Sequence, residues 1–173
     1  MTKNSISHGV IWITGYSAAG KTTVSRKVDS ELKKLNYKTI YLDGDELRTI
    51  LGNHWKFDKN SRIELAYIYF KLCRHLSSQG YVVIISAVAM FDELLVWAKE
   101  NIPNVIQIYL KVPKDERRER DAVTKKIFLN TDMNKNDDLY NEPKNADFVI
   151  ENHGENNIFD SAKEIVNFVT NIS

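Results

Sequence analysis

Apolar residues follow two different spacings along this chain, and their alternation predicts its architecture. Short continuous apolar runs are typical of buried strands, and they occur at residues 10–14, 39–42, 81–86, 105–112 and 146–151. Apolar residues three or four positions apart, or a charged stretch, indicate helices at residues 21–36, 61–79, 91–100, 114–121 and 158–169. Strands that alternate with helices are typical of an α/β fold in which a mainly parallel sheet has helices on both faces.

The first predicted strand and helix are joined by residues 15–22, whose sequence Gly-Tyr-Ser-Ala-Ala-Gly-Lys-Thr fits the Walker A pattern in full. Its glycines let the backbone N–H groups point at phosphate oxygens, and the helix adds the positive end of its dipole. Lys21 is expected to reach the β- and γ-phosphates, and the Thr22 hydroxyl to ligate Mg²⁺. The pattern predicts a three-layer P-loop NTPase fold that binds ATP through Gly15, Ser17, Ala18, Ala19, Gly20, Lys21, Thr22 and Thr23.

The second predicted strand ends in an acidic segment, residues 42–48, with the sequence Leu-Asp-Gly-Asp-Glu-Leu-Arg. In parallel α/β sheets, ligands bind at the carboxyl ends of the strands. Beside a nucleotide, Asp43 can hold a Mg²⁺-bound water or accept the acceptor's proton, Asp45 can orient the acceptor, and Arg48 can clamp an anion. The alternative is structural, with Asp45 as a helix cap and Arg48 in solvent.

Residues 130–145 are polar and rich in Asn and Asp, which predicts a long loop. Loops of this length inside a compact domain are usually functional. Because this one comes late in a nucleotide-binding sequence, we expect it to belong to a lid that spans about residues 115–145.

Composition narrows the class of protein further. The 173 residues fit one domain, residues 1–173, and a net charge of +1 gives no general attraction to nucleic acid or to an anionic membrane. The single cysteine, Cys73, allows no intrachain disulfide, and the longest mainly apolar run, residues 81–91, is too short to span a bilayer. The N-terminal residues do not resemble a signal peptide. We therefore expect a cytoplasmic protein that binds neither nucleic acid nor a membrane.

The glycine-rich residues 15–23, followed by the segment 42–48, resemble the adenylyl-sulfate kinase family, whose members have a GKTT loop and then an LDGD…R segment. Members of that family phosphorylate the ribose 3′-hydroxyl of adenylyl sulfate with Mg·ATP. The resemblance implies a phosphotransferase with a nucleotide alcohol as acceptor, ATP as donor and Mg²⁺ as cofactor. It also implies a homodimer, because related kinases often form dimers.

The resemblance continues in order along most of the chain. Arg62 falls where the family has a substrate-binding arginine, and Glu119-Arg120-Asp121 resembles the RD pair at the start of the family's lid. Lys125 and Lys126 resemble the two lysines of that lid, and residues 137–143 resemble the segment DDPYEAP.

Two departures from the family concern the acceptor. The family segment SFISPY reads Ser86-Ala87-Val88-Ala89-Met90-Phe91 here, so an alanine replaces its phenylalanine, and Met133 falls near the place of a second phenylalanine. In the family those two rings sandwich the adenine of adenylyl sulfate, and stacking on an aromatic ring is worth about 1–3 kcal/mol per base. The loss of both rings predicts a changed base pocket, for which replacement rings are available in Phe91, Phe128 and Tyr140.

The stretch Met90-Phe91-Asp92-Glu93, with Trp97 and residues 100–103, resembles a divergent branch of the family. Members of that branch act in bacterial capsule pathways and phosphorylate cytidine diphosphoramidate, which has the same 5′-anhydride layout and a smaller base. The resemblance favours this acceptor, and adenylyl sulfate remains the alternative.

These patterns and the resemblance assign roles to particular residues. The predicted catalytic residues are Lys21, Asp43 and Asp45, with Thr22 and Asp43 as Mg²⁺ ligands, partly through water. Arg120 is predicted to cover the nucleotide, whereas Arg117 and Arg118 fit a solvated helix face. The predicted acceptor-binding residues are Asp45, Arg48, Arg62, Ser86, Ala87, Val88, Lys125 and Lys126.

Two other classes of protein remain open. A GTP-binding switch would need a guanine-reading NKxD segment, and Asn134-Lys135-Asn136-Asp137 has similar letters. It lies in the predicted lid rather than after an apolar strand, which argues against that role. A catalytically inactive ATP-binding partner is the other class, and the intact Lys21, Thr22 and Asp43 argue against it.

Overall fold

The computed structural model describes residues 6–52, 55–56, 58–127, 132–154 and 158–172. Its strands are β1 (Gly9–Thr14), β2 (Thr39–Asp43), β3 (Val82–Ser86), β4 (Val105–Lys111) and β5 (Phe148–Glu151). They form one sheet in the order β2-β3-β1-β4-β5, and every neighbouring pair is parallel. The helices are α1 (Lys21–Lys34), α2 (Gly44–Ile50), α3 (Lys59–Ser77), α4 (Asp92–Asn101), α5 (Lys114–Val123), α6 (Met133–Asp137) and α7 (Ile158–Thr170).

The two faces of the central strand β1 belong to different hydrophobic clusters. Ile11 and Ile13 pack with the buried residues of α1 and α7, whereas Val10 and Trp12 pack with those of α3 and α4. Because both faces are covered, the strand is apolar at every position instead of alternating. The predicted three-layer α/β fold is confirmed.

Strand order brings three loops together at one edge of the sheet. β2, β3 and β1 are neighbours, and in the register of the sheet Asp43 is paired with Ser86, which is paired with Ile13. The segments that follow these three strands therefore begin side by side, at the carboxyl edge where parallel sheets bind ligands.

Most predicted elements are present with ends that differ by one or two residues, but the polar segment was predicted wrongly as a continuous loop. Within it lies the short helix α6. The side chain of Asp132 caps this helix by accepting a hydrogen bond from the Asn134 backbone N–H at 2.8 Å, and Met133 is buried beneath it. A five-residue helix with one buried side chain leaves no periodic pattern in the sequence.

A second correction concerns α2. As an alternative to a functional role, the sequence allows Asp45 as the N-terminal cap of this helix. The cap is instead Asp43, whose side chain accepts a hydrogen bond from the Asp45 N–H. In the part of the chain that the structure describes, no helix combines the length and the apolar character needed to cross a membrane.

Candidate active site

The loop between β1 and α1 has the conformation that its glycines permit. Gly15 has a φ of +149°, and a Cβ there would lie 2.6 Å from the backbone oxygen of Leu110. Gly20 has a φ of +88°, and a Cβ there would lie 3.0 Å from Nδ2 of Asn152. A side chain at Gly15 would collide with the Leu110 backbone, and a side chain at Gly20 would be strained by the positive φ, so the tight turn onto α1 favours glycine at both positions.

Lys21, at the start of α1, lies beneath this loop. Its Nζ donates a hydrogen bond to the backbone oxygen of Tyr16 at 2.9 Å. Burial lowers the pKa of Lys21 to about 8; Asp45 and Asp43 raise it, and Lys125 and Arg117 lower it. A bound phosphate would supply the negative charge that this desolvated ammonium lacks, as expected of a phosphate-binding lysine.

Asp43, at the end of β2, is 5% exposed and is surrounded by hydrogen-bond donors. One carboxylate oxygen accepts from the Thr22 hydroxyl at 2.9 Å and from the Tyr41 hydroxyl at 2.8 Å, and the other accepts from the Asp45 N–H at 2.9 Å. Burial raises the pKa of Asp43, but the hydrogen bonds from Tyr41, Thr22 and the backbone N–H groups outweigh burial and hold the pKa below its ordinary value. The carboxylate is therefore ionised at neutral pH.

The loop and the acidic segment border one cavity of about 550 Å³. Most of the predicted site residues line it, namely Ser17, Ala18, Gly20, Lys21, Thr22, Thr23, Asp43, Asp45, Arg48, Arg62, Ser86, Ala87, Val88, Arg120 and Lys125. The structure thus brings the predicted nucleotide residues and the predicted acceptor residues into a single space.

Three predicted site residues lie outside the lining. Gly15 packs against the Leu110 backbone beneath the loop. Ala19 is 1% exposed, and its carbonyl accepts a hydrogen bond from the Asn152 side chain at 2.8 Å. Lys126 is exposed and has a φ of +53°. The first two shape the loop from below, whereas the side chain of Lys126 is not part of the cavity wall.

One wall of the cavity, beside the predicted acceptor-binding residue Arg62, is aromatic and includes Phe91 and Tyr140. Their ring centroids are 5.3 Å apart. Arg62 donates a hydrogen bond to the Tyr140 hydroxyl, and its guanidinium lies 5.4 Å from the Tyr140 ring centroid. Burial raises the pKa of Tyr140, although Arg62 and Arg48 lower it, so this hydroxyl stays neutral and can bind to the cation.

Of the three aromatic residues that could replace the family's phenylalanines, the structure places two at the cavity. Phe91 and Tyr140 border the cavity, and Phe128 lies outside the described residues. Met133, which stands near the place of the family's second phenylalanine, is 3% exposed and does not belong to the lining. The rings on the wall therefore stand at the tyrosine positions of the segments that resemble SFISPY and DDPYEAP, and not at the places of the family's two phenylalanines.

Side chains of β1 hold the segment after β3 in place. Trp12 donates a hydrogen bond to the Ala87 carbonyl at 3.4 Å, and the Thr14 hydroxyl donates one to the Val88 carbonyl. This segment is therefore attached to the rigid sheet, and its small side chains leave space in the cavity.

Arg120 and Lys125 are two of the predicted lid residues that line the cavity. Lys125 forms an ion pair with Asp45 at 2.5 Å, and the two side chains are 51% and 76% exposed. Exposed pairs contribute little stability, so this contact can open at low cost. Arg120 donates to Glu116 at 2.6 Å and to the Asn152 carbonyl at 2.7 Å, and it lies next to Gly20 of the predicted ATP-binding loop.

Sequence reasoning missed several residues that shape the site. Tyr41 binds Asp43, and the Tyr69 hydroxyl donates to the Gly44 carbonyl at 2.8 Å. The buried Asn152 contacts the phosphate-binding loop, and its Oδ1 accepts from Ser161 of α7 at 2.7 Å. Asn152 comes directly after β5, so the rule that ligand-site residues follow parallel strands would have found it.

The prediction that Arg117 lies on a solvated helix face was wrong. Its side chain is 4% exposed and pairs with Asp137 at 2.6 Å. Asp137 is the last residue of the segment that resembles NKxD, and in the structure that segment is part of α6. Its aspartate binds an arginine of the same chain, which is a different role from reading guanine.

These features are those of a P-loop kinase fold, and comparisons with known proteins agree. Residues 7–151 match the adenylylsulphate kinase family. The cytidine diphosphoramidate kinase of Campylobacter jejuni is 35% identical over 161 residues, 91% of this chain and 94% of that protein. A probable adenylyl-sulfate kinase of Archaeoglobus fulgidus is 30% identical over 149 residues, 82% of this chain and 94% of that protein.

A solved structure supports the same fold. The APS kinase of Mycobacterium tuberculosis, in complex with AMPPNP and APS, superposes with a TM-score of 0.82 at 22% identity, covering 94% of this chain and 98% of that one. The protein belongs to the adenylyl-sulfate kinase family. It is accordingly a phosphotransferase.

Proposed function

We propose that this kinase transfers the γ-phosphoryl group of ATP to the ribose 3′-hydroxyl of cytidine 5′-diphosphoramidate, in a capsule modification pathway. The observation that carries the proposal is the composition of the acceptor wall. Ala87 lines the cavity at the place of one family phenylalanine, and the lining also includes the rings of Phe91 and Tyr140, whose centroids are 5.3 Å apart. The similarity to the Campylobacter jejuni kinase supports the same acceptor.

The donor phosphates would bind between the glycine-rich loop and Lys21. The Thr22 hydroxyl and the Asp43 carboxylate, 2.9 Å apart, are hard oxygen ligands of the kind that Mg²⁺ prefers, so the residues fit this ion. When bound, Mg²⁺ neutralises charge on the β- and γ-phosphates. Lys21 stabilises the charge that develops on the transferring group.

Asp43 is the better placed of the two aspartates to receive the proton. The 3′-oxygen forms a bond to the γ-phosphorus as the bond to the bridging oxygen of ADP breaks, and the hydroxyl proton passes to the carboxylate. Phosphoryl transfer has a loose transition state, so a late proton acceptor can have a low pKa. Asp43 is buried beside Lys21 and Thr22, whereas Asp45 is exposed and pairs with Lys125; Asp45 would orient the acceptor.

The acceptor would be held by its charge and by its base. Arg48 and Arg62 line the cavity and can bind the 5′-anhydride bidentately. The base would stack on Tyr140, whose ring packs against the buried Phe91. We assign closure over the nucleotide to residues 115–145, with Arg120 at the donor end and Lys125 at the acceptor end, which would exclude water from the reacting phosphate.

The test is an assay of ADP release with Mg·ATP, in which cytidine 5′-diphosphoramidate and adenylyl sulfate are compared and each product is identified by phosphorus NMR. We expect kcat/KM for the cytidine compound to be at least about tenfold higher, since two stacking contacts of the adenine site are absent. Faster turnover of adenylyl sulfate would instead assign the family's own reaction. ADP release that no acceptor stimulates would contradict a kinase acting on either compound.

Tyr140→Phe tests the acceptor wall separately from the donor site. The change keeps the ring and removes the hydroxyl that binds Arg62, so we expect the KM for the acceptor to rise about fivefold and the KM for ATP to stay constant. Steady-state kinetics with each substrate varied would measure both. Tyr67→Phe is the matched control, because Tyr67 lies on α3 and does not line the cavity. Equal acceptor KM values for wild type and Tyr140→Phe would argue against this wall.

A further inference from the structure

Arg117 is buried beside the phosphate-binding loop but does not line the cavity. Its guanidinium forms a two-pronged ion pair with Asp137, with distances of 3.3 Å and 2.6 Å. The same group lies 4.8 Å from the centroid of the Tyr16 ring, and Nη1 donates a long hydrogen bond of 3.5 Å to the Ser17 carbonyl. One side chain thus joins the loop to α6.

We propose that Arg117 is a positioning residue that fixes the Tyr16–Ser17 segment of the loop in the conformation that binds the donor phosphates. The inference rests on the proposed nucleotide-binding function of that loop. Ser17 lines the cavity and Arg117 does not, so Arg117 acts on the nucleotide through the loop backbone. A planar guanidinium can stack on a ring and pair bidentately at once, whereas lysine cannot do both.

The other side of the contact is well anchored. Asp137 belongs to α6, which is capped by Asp132 and buries Met133 beneath it. After α6, the Asn141 backbone N–H donates to the Met90 carbonyl at 2.8 Å. The segment that carries this carboxylate is therefore hydrogen-bonded to the residues that follow β3.

A contribution to stability does not by itself explain the ion pair between Arg117 and Asp137. Buried pairs lose much of their Coulomb attraction to desolvation, and apolar side chains of similar volume often replace them without loss of stability. In addition, the buried Nε of Arg117 has no hydrogen-bond partner among the described residues. A pair that is incompletely satisfied, and that contacts two consecutive residues of the loop, fits a role in positioning.

The first test measures binding of Mg·ADP by calorimetry, which needs no acceptor. We expect Arg117→Met to raise the Kd of Mg·ADP about tenfold, as residues without ligand contact can do when they hold a binding element. Arg117→Lys should give an intermediate value. Arg118→Met is the matched control on the same helix, since Arg118 is 54% exposed, and its Kd should equal that of wild type. An unchanged Kd for Arg117→Met would overturn the proposal.

The double variant Arg117→Met/Asp137→Leu separates positioning from stability. Arg117→Met alone leaves the partly buried Asp137 without its ion-pair partner and should lower the Tm, whereas the double variant should restore the Tm to that of wild type or above. We expect its Kd for Mg·ADP to stay raised. A double variant that regains both the Tm and the affinity of wild type would show that the ion pair has only a structural role.

The same binding measurement also tests the proposed function. If wild type does not bind Mg·ADP, the proposed function is contradicted; if wild type and Arg117→Met bind Mg·ADP equally well, only the role of Arg117 is contradicted.

Discussion

Replacing Lys21 by methionine is expected to lower kcat/KM by about 10²- to 10³-fold, which is the usual effect of removing one donor that stabilises transition-state charge. In the absence of nucleotide, the same change should increase the free energy of unfolding at pH 7 by about 1–3 kcal/mol, because a desolvated ammonium is replaced by an apolar side chain of similar length. Activity and stability would thus change in opposite directions.

The pH dependence of this effect follows from the lowered pKa. In the folded protein the pKa of Lys21 is about 8, and in the unfolded chain it is about 10.4. Between these values the unfolded state binds the proton and the folded state does not, so the contribution of Lys21 to stability rises with pH. Below pH 8 its burial costs stability in full. The difference between Lys21→Met and wild type should therefore shrink from pH 7 to pH 9.

Urea unfolding at both pH values, with kinetics at pH 7, measures these effects. Lys33→Met is the matched control on α1: Lys33 is 55% exposed and pairs with Asp29 at 2.7 Å. It should leave kcat/KM unchanged and alter stability by less than about 0.5 kcal/mol. If Lys21→Met is no more stable than wild type without nucleotide, then the ammonium of Lys21 is not significantly desolvated.

Replacing Asp43 by asparagine is the second large effect, with an expected loss of about 10²- to 10⁴-fold in kcat, the range for loss of a proton acceptor. The variant should also be about 1–2 kcal/mol less stable at pH 7, because Asp43 caps α2 and accepts hydrogen bonds from Tyr41 and Thr22. Because the folded-state pKa of Asp43 is lowered, its contribution is present above the unfolded value of about 3.9 and is lost as the pH falls through the folded value.

Kinetics at saturating substrates and thermal unfolding from pH 7 to pH 3 test this prediction. Glu46→Gln is a suitable control, since Glu46 lies on the helix that Asp43 caps, and its ion pair with Arg26 is exposed; both activity and stability should be nearly unchanged. Asp45→Asn provides the comparison for mechanism. If Asp45→Asn loses kcat and Asp43→Asn keeps it, the proton passes to Asp45 and the proposed role of Asp43 is wrong.

Sequence by itself determined the sheet, the phosphate-binding loop and the family. Strand β1 is apolar throughout, and Gly15, Gly20, Lys21 and Thr22 follow it at Walker A spacing. These signals are local: a buried strand needs apolar side chains at each position, and a loop that turns tightly onto a helix needs glycine where φ is positive. Asp43 was found in the same way, because ligands bind where parallel strands end.

Only the tertiary structure decided which distant side chains pack around the phosphate-binding loop and the cavity. Arg117 and Asp137 are 20 positions apart and Arg62 and Tyr140 are 78, so no periodic pattern connects them. The charged residues of α5 look alike in the sequence, yet Arg117 is buried and Arg118 is exposed. The five residues of α6 are polar apart from the buried Met133. Such contacts depend on how distant segments pack, and the free energy of that packing leaves no local signal in the chain.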